Sequence, residues 1–304
     1  RFEIDIDAPR TGFFAAIEHI EIIRLEETEN SLLSSVWKYF KTPSGMGSVN
    51  EKSVVLFDDE GNYKNAISNY GRGPKEYTSI GSVQFNNGAI ELFSGGSRLI
   101  NRYTEEGGYI ETIKGKYSKE IWAGSAIPYK SGYILQHIYP GTPNNPIPFH
   151  VLLFTDGQLN IVGEGGYTKN LNTLPLNLGK HFSTYEDHIY FKKILNDSVY
   201  QIINGKEYPK FRFDFGKDWA WSDPKNTSTH QIEVKVTVEG DKVIDVLSDV
   251  GSKYIMLTYY ISTQNEQKGY INRETGKFTR FDMRKKDKEK YKLKFIKWED
   301  DRLV

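Results

Sequence analysis

The sequence predicts an all-β protein, a six-bladed β-propeller with four antiparallel strands per blade, and three observations lead there. Strand-like runs rich in β-formers, with 20 Tyr and 17 Phe, outnumber helical patterns. A strand, acidic or Asn turn, strand unit recurs at Phe57-Asp-Asp-Glu-Gly61, Tyr103-Thr-Glu-Glu-Gly107, Phe154-Thr-Asp-Gly157, Ile203-Asn-Gly205 and Asn272-Arg-Glu-Thr-Gly276. The first four turn glycines stand 46, 50 and 48 residues apart, which is the period of a propeller blade.

Taken in order, Phe2 to Ile6 alternates apolar and acidic residues and stops before Pro9, the pattern of a short half-buried strand. A second strand is expected over Ile17 to Leu25. Glu26 to Leu33 reads as a loop leading to a strand at Val36 to Phe40, with a helical turn as the alternative. Ser53 to Tyr77 then holds a whole hairpin: Val54 to Phe57, a turn closed by Gly61, Tyr63 to Ile67, and a Gly/Pro-rich connection. The next unit shows all four strands, Val83 to Phe85, Ala89 to Ser94, Leu99 to Tyr103 and Tyr109 to Ile113, broken by Asn86-Asn-Gly88, Ser94 to Ser97 and Glu105 to Gly108.

Blades are expected at 17–67, 78–115, 121–164, 179–215 and 240–282. The interval from Gly205 to Gly276 is 71 residues, so residues 216–240 read as an insertion or an elaborated outer strand. The sixth blade would combine Lys292 to Trp298 with N-terminal strands, closing the ring and removing two sheet edges. The chain 1–304 is thereby expected to be a single domain.

Composition narrows the function classes. Forty basic and forty acidic side chains cancel, which argues against nucleic acid and other polyanions as partners. The absence of cysteine removes disulfides, thiolate metal sites and cysteine nucleophiles. No apolar run is long enough for a transmembrane span. The chain begins at Arg1 rather than Met, as a trimmed chain would, so any export signal would lie upstream.

Gly71-Arg-Gly-Pro-Lys-Glu-Tyr77 resembles the Gly-x-Gly-Pro-Gly-Glu-Tyr/Phe loop of six-bladed propeller lipoproteins exported by Bacteroides-type bacteria, relatives of the NHL-repeat propellers. Ile23 to Leu33 and Phe57-Asp-Asp-Glu-Gly-Asn-Tyr63 resemble two further segments of that family. The likeness is good over residues 17 to 115 and rests on blade spacing elsewhere. It implies a signal and a lipidated cysteine before Arg1, and location at the periplasm or outer-membrane surface. Lys75 departs from the pattern, standing where the family has its third glycine; if that position needs positive φ, Lys75 is strained or the turn differs.

The candidate sites are each weighed against a structural reading. Arg72 and Lys75 on a glycine-rich loop invite a phosphate, yet a strand follows instead of a helix N-terminus, so Pro74, Glu76 and Tyr77 read better as turn and packing residues. His137 and His188 lie in or beside strands that could line a central channel; a lone strand histidine is more often simply satisfied by a neighbour. The carboxylate pairs 58–59, 105–106 and 300–301 suggest acid/base work or calcium ligation, but those at 58–59 and 105–106 lie on outer hairpin turns and read as solvated turn acids, and no calcium loop is present. Trp219 and Trp221, with Tyr129, Tyr133 and Tyr139, offer stacking faces for sugars or filler for the core. Tyr139 opens a proline-stiffened loop to Pro148 of the kind that carries binding. Arg284 to Lys290 reads as a solvated loop.

The expectation from these residues is a monomeric, exported, cell-envelope module without cofactor, a divalent cation in the channel staying open, that binds a glycan, a peptide or an envelope protein. The ligand-binding candidates are Arg72, His137, Tyr139, His188, Trp219 and Trp221. The alternative is a lactonase-, lyase- or glycosidase-like enzyme working at the channel mouth, possible because fold does not dictate function. A purely structural partner in a larger complex, with a broad exposed apolar patch, is the third reading.

Overall fold

The computed structural model describes the chain except residues 35, 96–97, 117–121, 139–148, 169–181, 194, 222–240, 263–264, 283–289, 291–297 and 300. Two short strands, β1 (Phe2–Glu3) and β2 (Arg10–Gly12), open it. Blade 1 is β3 (Val36–Thr42), β4 (Gly45–Asn50), β5 (Ser53–Phe57) and β6 (Tyr63–Ile67). Blade 2 is β7 (Ser82–Asn86), β8 (Ala89–Ser94), β9 (Leu99–Tyr103) and β10 (Tyr109–Lys114). Blade 3 is β11 (Trp122–Tyr129), β12 (Gly132–Ile138), β13 (Phe149–Thr155) and β14 (Ile161–Thr168). Blade 4 is β15 (Phe182–Tyr185), β16 (His188–Lys192), β17 (Ser198–Ile203) and β18 (Lys206–Asp214). Blade 5 is β19 (Asp245–Val250), β20 (Tyr254–Ser262), β21 (Asn265–Asn272) and β22 (Phe278–Asp282). A ribbon of β23 (Trp298–Glu299) and β24 (Arg302–Leu303) follows.

Each blade is an antiparallel meander, and in blades 1 to 4 the last strand is more exposed than the second. All six residues of β8 are buried because blades 1 and 3 cover its two sides, with Ile90 and Leu92 facing blade 1 and Phe93 facing blade 3; Val54 to Phe57 of β5 are buried as well. The tight connections carry the backbone they need: Asn87-Gly88 and Asn204-Gly205 both have positive φ at their two central positions, as a two-residue hairpin turn requires. The acidic turns are caged by their own side chains. Asp58 accepts N–H bonds from Glu60 (3.1 Å) and Asn62 (2.7 Å), and Asp156 does the same for Gln158 and Asn160 (2.9 Å each).

The sheets fall into two compact units. In the unit holding blades 1 to 3, Phe40, Leu56, Ile67, Tyr77, Ile90 and Tyr103 form the core between blades 1 and 2. Phe93, Ile100, Tyr133, Leu135 and Leu153 form that between blades 2 and 3. Lys38 Nζ donates to the Gly81 carbonyl, and Ser82 both donates to the Ala126 carbonyl (2.9 Å) and accepts its N–H (3.0 Å), so the first strands of neighbouring blades are tied directly. In the other unit, Ile4, Ile6, Phe213, Phe215, Val246, Leu257 and Tyr259 pack between blades 4 and 5.

Several expectations are overturned. Five blades form among the described residues, and the sixth does not. Dividing the length by the repeat overcounts, since residues 17–34 contain no strand. The stretch Ile17 to Leu25, expected as a strand, leaves Ile20, Ile22 and Ile23 exposed. Nor do N- and C-terminal strands close a ring: β23 and β24 pair with each other, and most of Lys292 to Trp298 lies outside the described residues. Instead β1 adds in parallel to β18 and β2 in parallel to β22, giving blades 4 and 5 a fifth strand. Of the expected insertion 216–240, residues 222–240 lie outside the described set, while Gly216–Asp218 is a short 3-10 turn.

Candidate functional site

The glycine-rich loop turns out to be built around Glu76. Its carboxylate sits inside the turn, accepts the Gly73 N–H at 2.6 Å, and fills the space that a side chain on residue 71 would need: a Cβ there would lie 2.0 Å from Oε2. Neither Gly71 nor Gly73 has positive φ, and neither does Lys75. The conformational strain considered for Lys75 is therefore absent, and the glycines are required by space. Tyr77 follows as a fully buried anchor whose hydroxyl donates to the Lys52 (2.6 Å) and Ile67 (3.0 Å) carbonyls. Burial pushes its phenol well above the usual range, with Tyr103 adding to the effect. Arg72 is exposed on this loop.

The other predicted residues are not gathered into one place. His137 is half-buried on β12, opposite Ala123 of β11. His188 is exposed at the start of β16, its ring stacked on Tyr190 at 6.3 Å. Both stand on the second strand of their sheets. Trp219 stacks on Phe215 (5.4 Å, 15°) against the blade 4–5 core, and Trp221 is buried with Nε1 donating to the Ile244 carbonyl at 2.7 Å. Both rings pack against the protein, Trp221 fully buried and Trp219 half-buried. Tyr139 lies outside the described residues. Asp301 caps the turn before β20 by accepting from Lys253 N–H (2.8 Å) and Tyr254 N–H (3.0 Å).

A polar row crosses blade 2 around one buried carboxylate, Glu91. Gln84, Glu91, Arg102 and Glu111 face one another on four successive strands. Glu91, 2% exposed, accepts from Gln84 Nε2 and Asn86 Nδ2 (3.2 Å each) and from the Tyr133 hydroxyl of blade 3 (2.9 Å), with Arg102 Nε at 3.4 Å. Burial raises the Tyr133 phenol, and the Glu91 charge raises it further. Only Glu91 is fully enclosed, while Glu111 reaches solvent at the outer edge, and the Glu91–Tyr133 contact ties the seam of blades 2 and 3.

The open feature is a cleft of about 570 Å³ where β1 runs along β18. Strand alternation makes it: Phe2 pairs with Phe213 and Glu3 with Asp214, and the Ile4 N–H donates to the Asp214 carbonyl at 2.9 Å. Ile4, Phe215 and Phe278 form its apolar floor, and Glu3, Asp5, Asp214 and Asp218 its acidic rim, with Lys217 also lining it and the Arg1 guanidinium bound to Asp214. Asp214 is held below the usual carboxylate range, first by the Gly216 N–H (3.0 Å) and then by the Arg1 guanidinium that bonds it. The cleft is suited to holding a cationic group over an apolar stem. Sequence reasoning missed it, although the Phe2 to Ile6 alternation contained the signal: Glu3 and Asp5 are the polar face of that strand. Among the described residues no three His, Asp or Glu side chains are placed to hold a metal ion, and no helix is long and apolar enough to cross a membrane.

The profile of a family described as a domain of unknown function, DUF4934, matches residues 4–301. The structure is similar to that of a Bacteroides fragilis protein named for its expected export, at 12% identity and a TM-score of 0.70, covering 92% of this chain and 79% of that one. It is also similar to a DUF4221-family protein of Bacteroides vulgatus, at 13% identity and a TM-score of 0.52, covering 84% and 83%. At such identities the likeness carries fold alone. No curated protein matches the sequence.

Proposed function

Because the chain belongs to the DUF4934 family, a domain of unknown function, we propose its role from the geometry: a non-catalytic binding module, exported and lipid-anchored at the cell envelope, that holds a basic peptide segment of a partner. The observation that carries this reading is the cleft between β1 and β18, where Glu3, Asp5 and Asp218 join Lys217 and the Arg1-paired Asp214 around an apolar floor. The Arg1 guanidinium on Asp214 illustrates the contact an incoming arginine would make. Of the ligand classes open from the sequence, a peptide fits best, since arginine or lysine stems lie on apolar surface while their heads meet carboxylates. Export is supported by the name of the Bacteroides fragilis relative. The reading treats 1–304 as one domain and a monomer.

Fluorescence anisotropy with a labelled peptide alternating Arg and Leu tests it, with a Glu/Leu peptide and an oligosaccharide panel as comparisons. Saturable binding of the basic peptide is expected, weakening as salt rises and falling several-fold in Asp218→Asn. Equal binding of both peptides, or binding unchanged by Asp218→Asn together with Glu3→Gln, would overturn it.

A further inference from the structure

The seam between blades 4 and 5 contains a pair that the binding reading does not use. Lys192, the last residue of β16, places Nζ against Oδ1 of Asp245, the first residue of β19. Both side chains are buried, at 3% and 0% exposure. Oδ1 also accepts the Val246 N–H at 2.9 Å, whereas Oδ2 is buried with no hydrogen-bond partner among the described residues. An ion pair taken out of water with one oxygen left unsatisfied is a costly arrangement. Burial also lowers the Lys192 ammonium to about 7, with Asp197 pulling the other way, so the neutral, nucleophilic amine is accessible near neutral pH.

We propose that Lys192 and Asp245 condense into an intramolecular isopeptide bond that joins blade 4 covalently to blade 5. A proton moves from the ammonium to the carboxylate, and Nζ attacks Cγ. The C–N bond forms as the C–Oδ2 bond breaks, and Oδ2 departs as water with two of the three ammonium protons. Nothing is oxidised or reduced, and the net charge of the pair is zero before and after. The amide keeps Oδ1 on the Val246 N–H and eliminates both buried charges and the orphaned oxygen. Fixed proximity in a dry seam supplies the high effective concentration that such a condensation needs. In a chain without cysteine, this is a covalent staple that needs no oxidising compartment.

Intact-mass spectrometry of the purified chain, followed by peptide mapping, tests the bond. The wild-type mass is expected to fall one water below that of the sequence, with one branched peptide carrying both Lys192 and Asp245. Lys192→Ala should show the full mass. Asp245→Asn keeps the side-chain shape and should fall by one ammonia, reaching the same linked product. A wild-type chain that stays at full mass after prolonged incubation at neutral pH, with the peptides containing residues 192 and 245 recovered separately, overturns the bond.

Discussion

Tyr133 donates its hydroxyl to Glu91 at 2.9 Å across the seam of blades 2 and 3, and both residues are buried. Partners 42 positions apart in the chain are thus joined through the one buried carboxylate of blade 2. Tyr133→Phe keeps the ring and removes the donor. A loss of about 1.5–3 kcal/mol is expected, the usual worth of a hydrogen bond to a charged group. Urea denaturation would register it as a lower midpoint at unchanged slope.

Gly71 should resist substitution for steric reasons. Ala at 71 would drive its Cβ into the Glu76 carboxylate and cost the Gly73 bond, about 1–2 kcal/mol. Since the obstacle is the Glu76 side chain, Gly71→Ala combined with Glu76→Ala should cost less than the two single changes added together. Additive losses in thermal or urea unfolding would show that backbone conformation, not space, imposes the glycine.

Trp221 is filler with a hydrogen bond, and the two contributions separate experimentally. Trp221→Phe loses the donor to the Ile244 carbonyl and some volume, for about 1–2 kcal/mol, whereas Trp221→Ala should lose about 3–5 kcal/mol. If the tryptophan instead served a glycan, stability would be nearly unchanged and sugar affinity would fall.

Lys38 sets a pH signature. Burial lowers its ammonium from 10.5 to about 8, so the native state holds this proton less tightly than the unfolded chain does. Below pH 8 both states are protonated and the native state bears the full cost of burying the charge. Between pH 8 and 10.5 the unfolded chain binds more protons, so stability should rise with pH through that window, by on the order of 3 kcal/mol from this group. Lys38→Met should flatten the rise, as read from the difference between urea midpoints of the two proteins at each pH.

What was legible in the sequence was what local chemistry dictates. Asn87-Gly88 and Asn204-Gly205 announce tight hairpins because those residues tolerate positive φ, and the caged acids Asp58 and Asp156 mark the outer turns. From these the spans of blades 2 to 5 follow closely. Contacts between distant segments were not legible. The alternation of Phe2 to Ile6 marks Glu3 and Asp5 as a polar face, but nothing in Phe2-Glu3 says that it will lie parallel to Phe213-Asp214, so where that face would sit, and the missing sixth blade, were not foreseeable. Ile17 to Leu25 has strand-like composition and yet leaves three isoleucines in solvent, because composition does not supply a neighbouring strand. Trp219, Trp221 and His188 were picked out by residue type, and only the fold distinguishes a buried ring from an exposed one.

The parallel placement of β1 on β18 and of β2 on β22 has a bearing on how the molecule is made. The residues of β1 and β2 are synthesised well before the last two sheets and must wait, unsatisfied, until those sheets have been made. Their docking therefore comes at the end of folding, and it is among the slowest contacts to form because its partners lie some two hundred residues or more downstream. Until then, the outer rows of N–H and C=O groups on those sheets stay open to intermolecular pairing. A nascent chain deprived of residues 1–12 would keep that vulnerability for life.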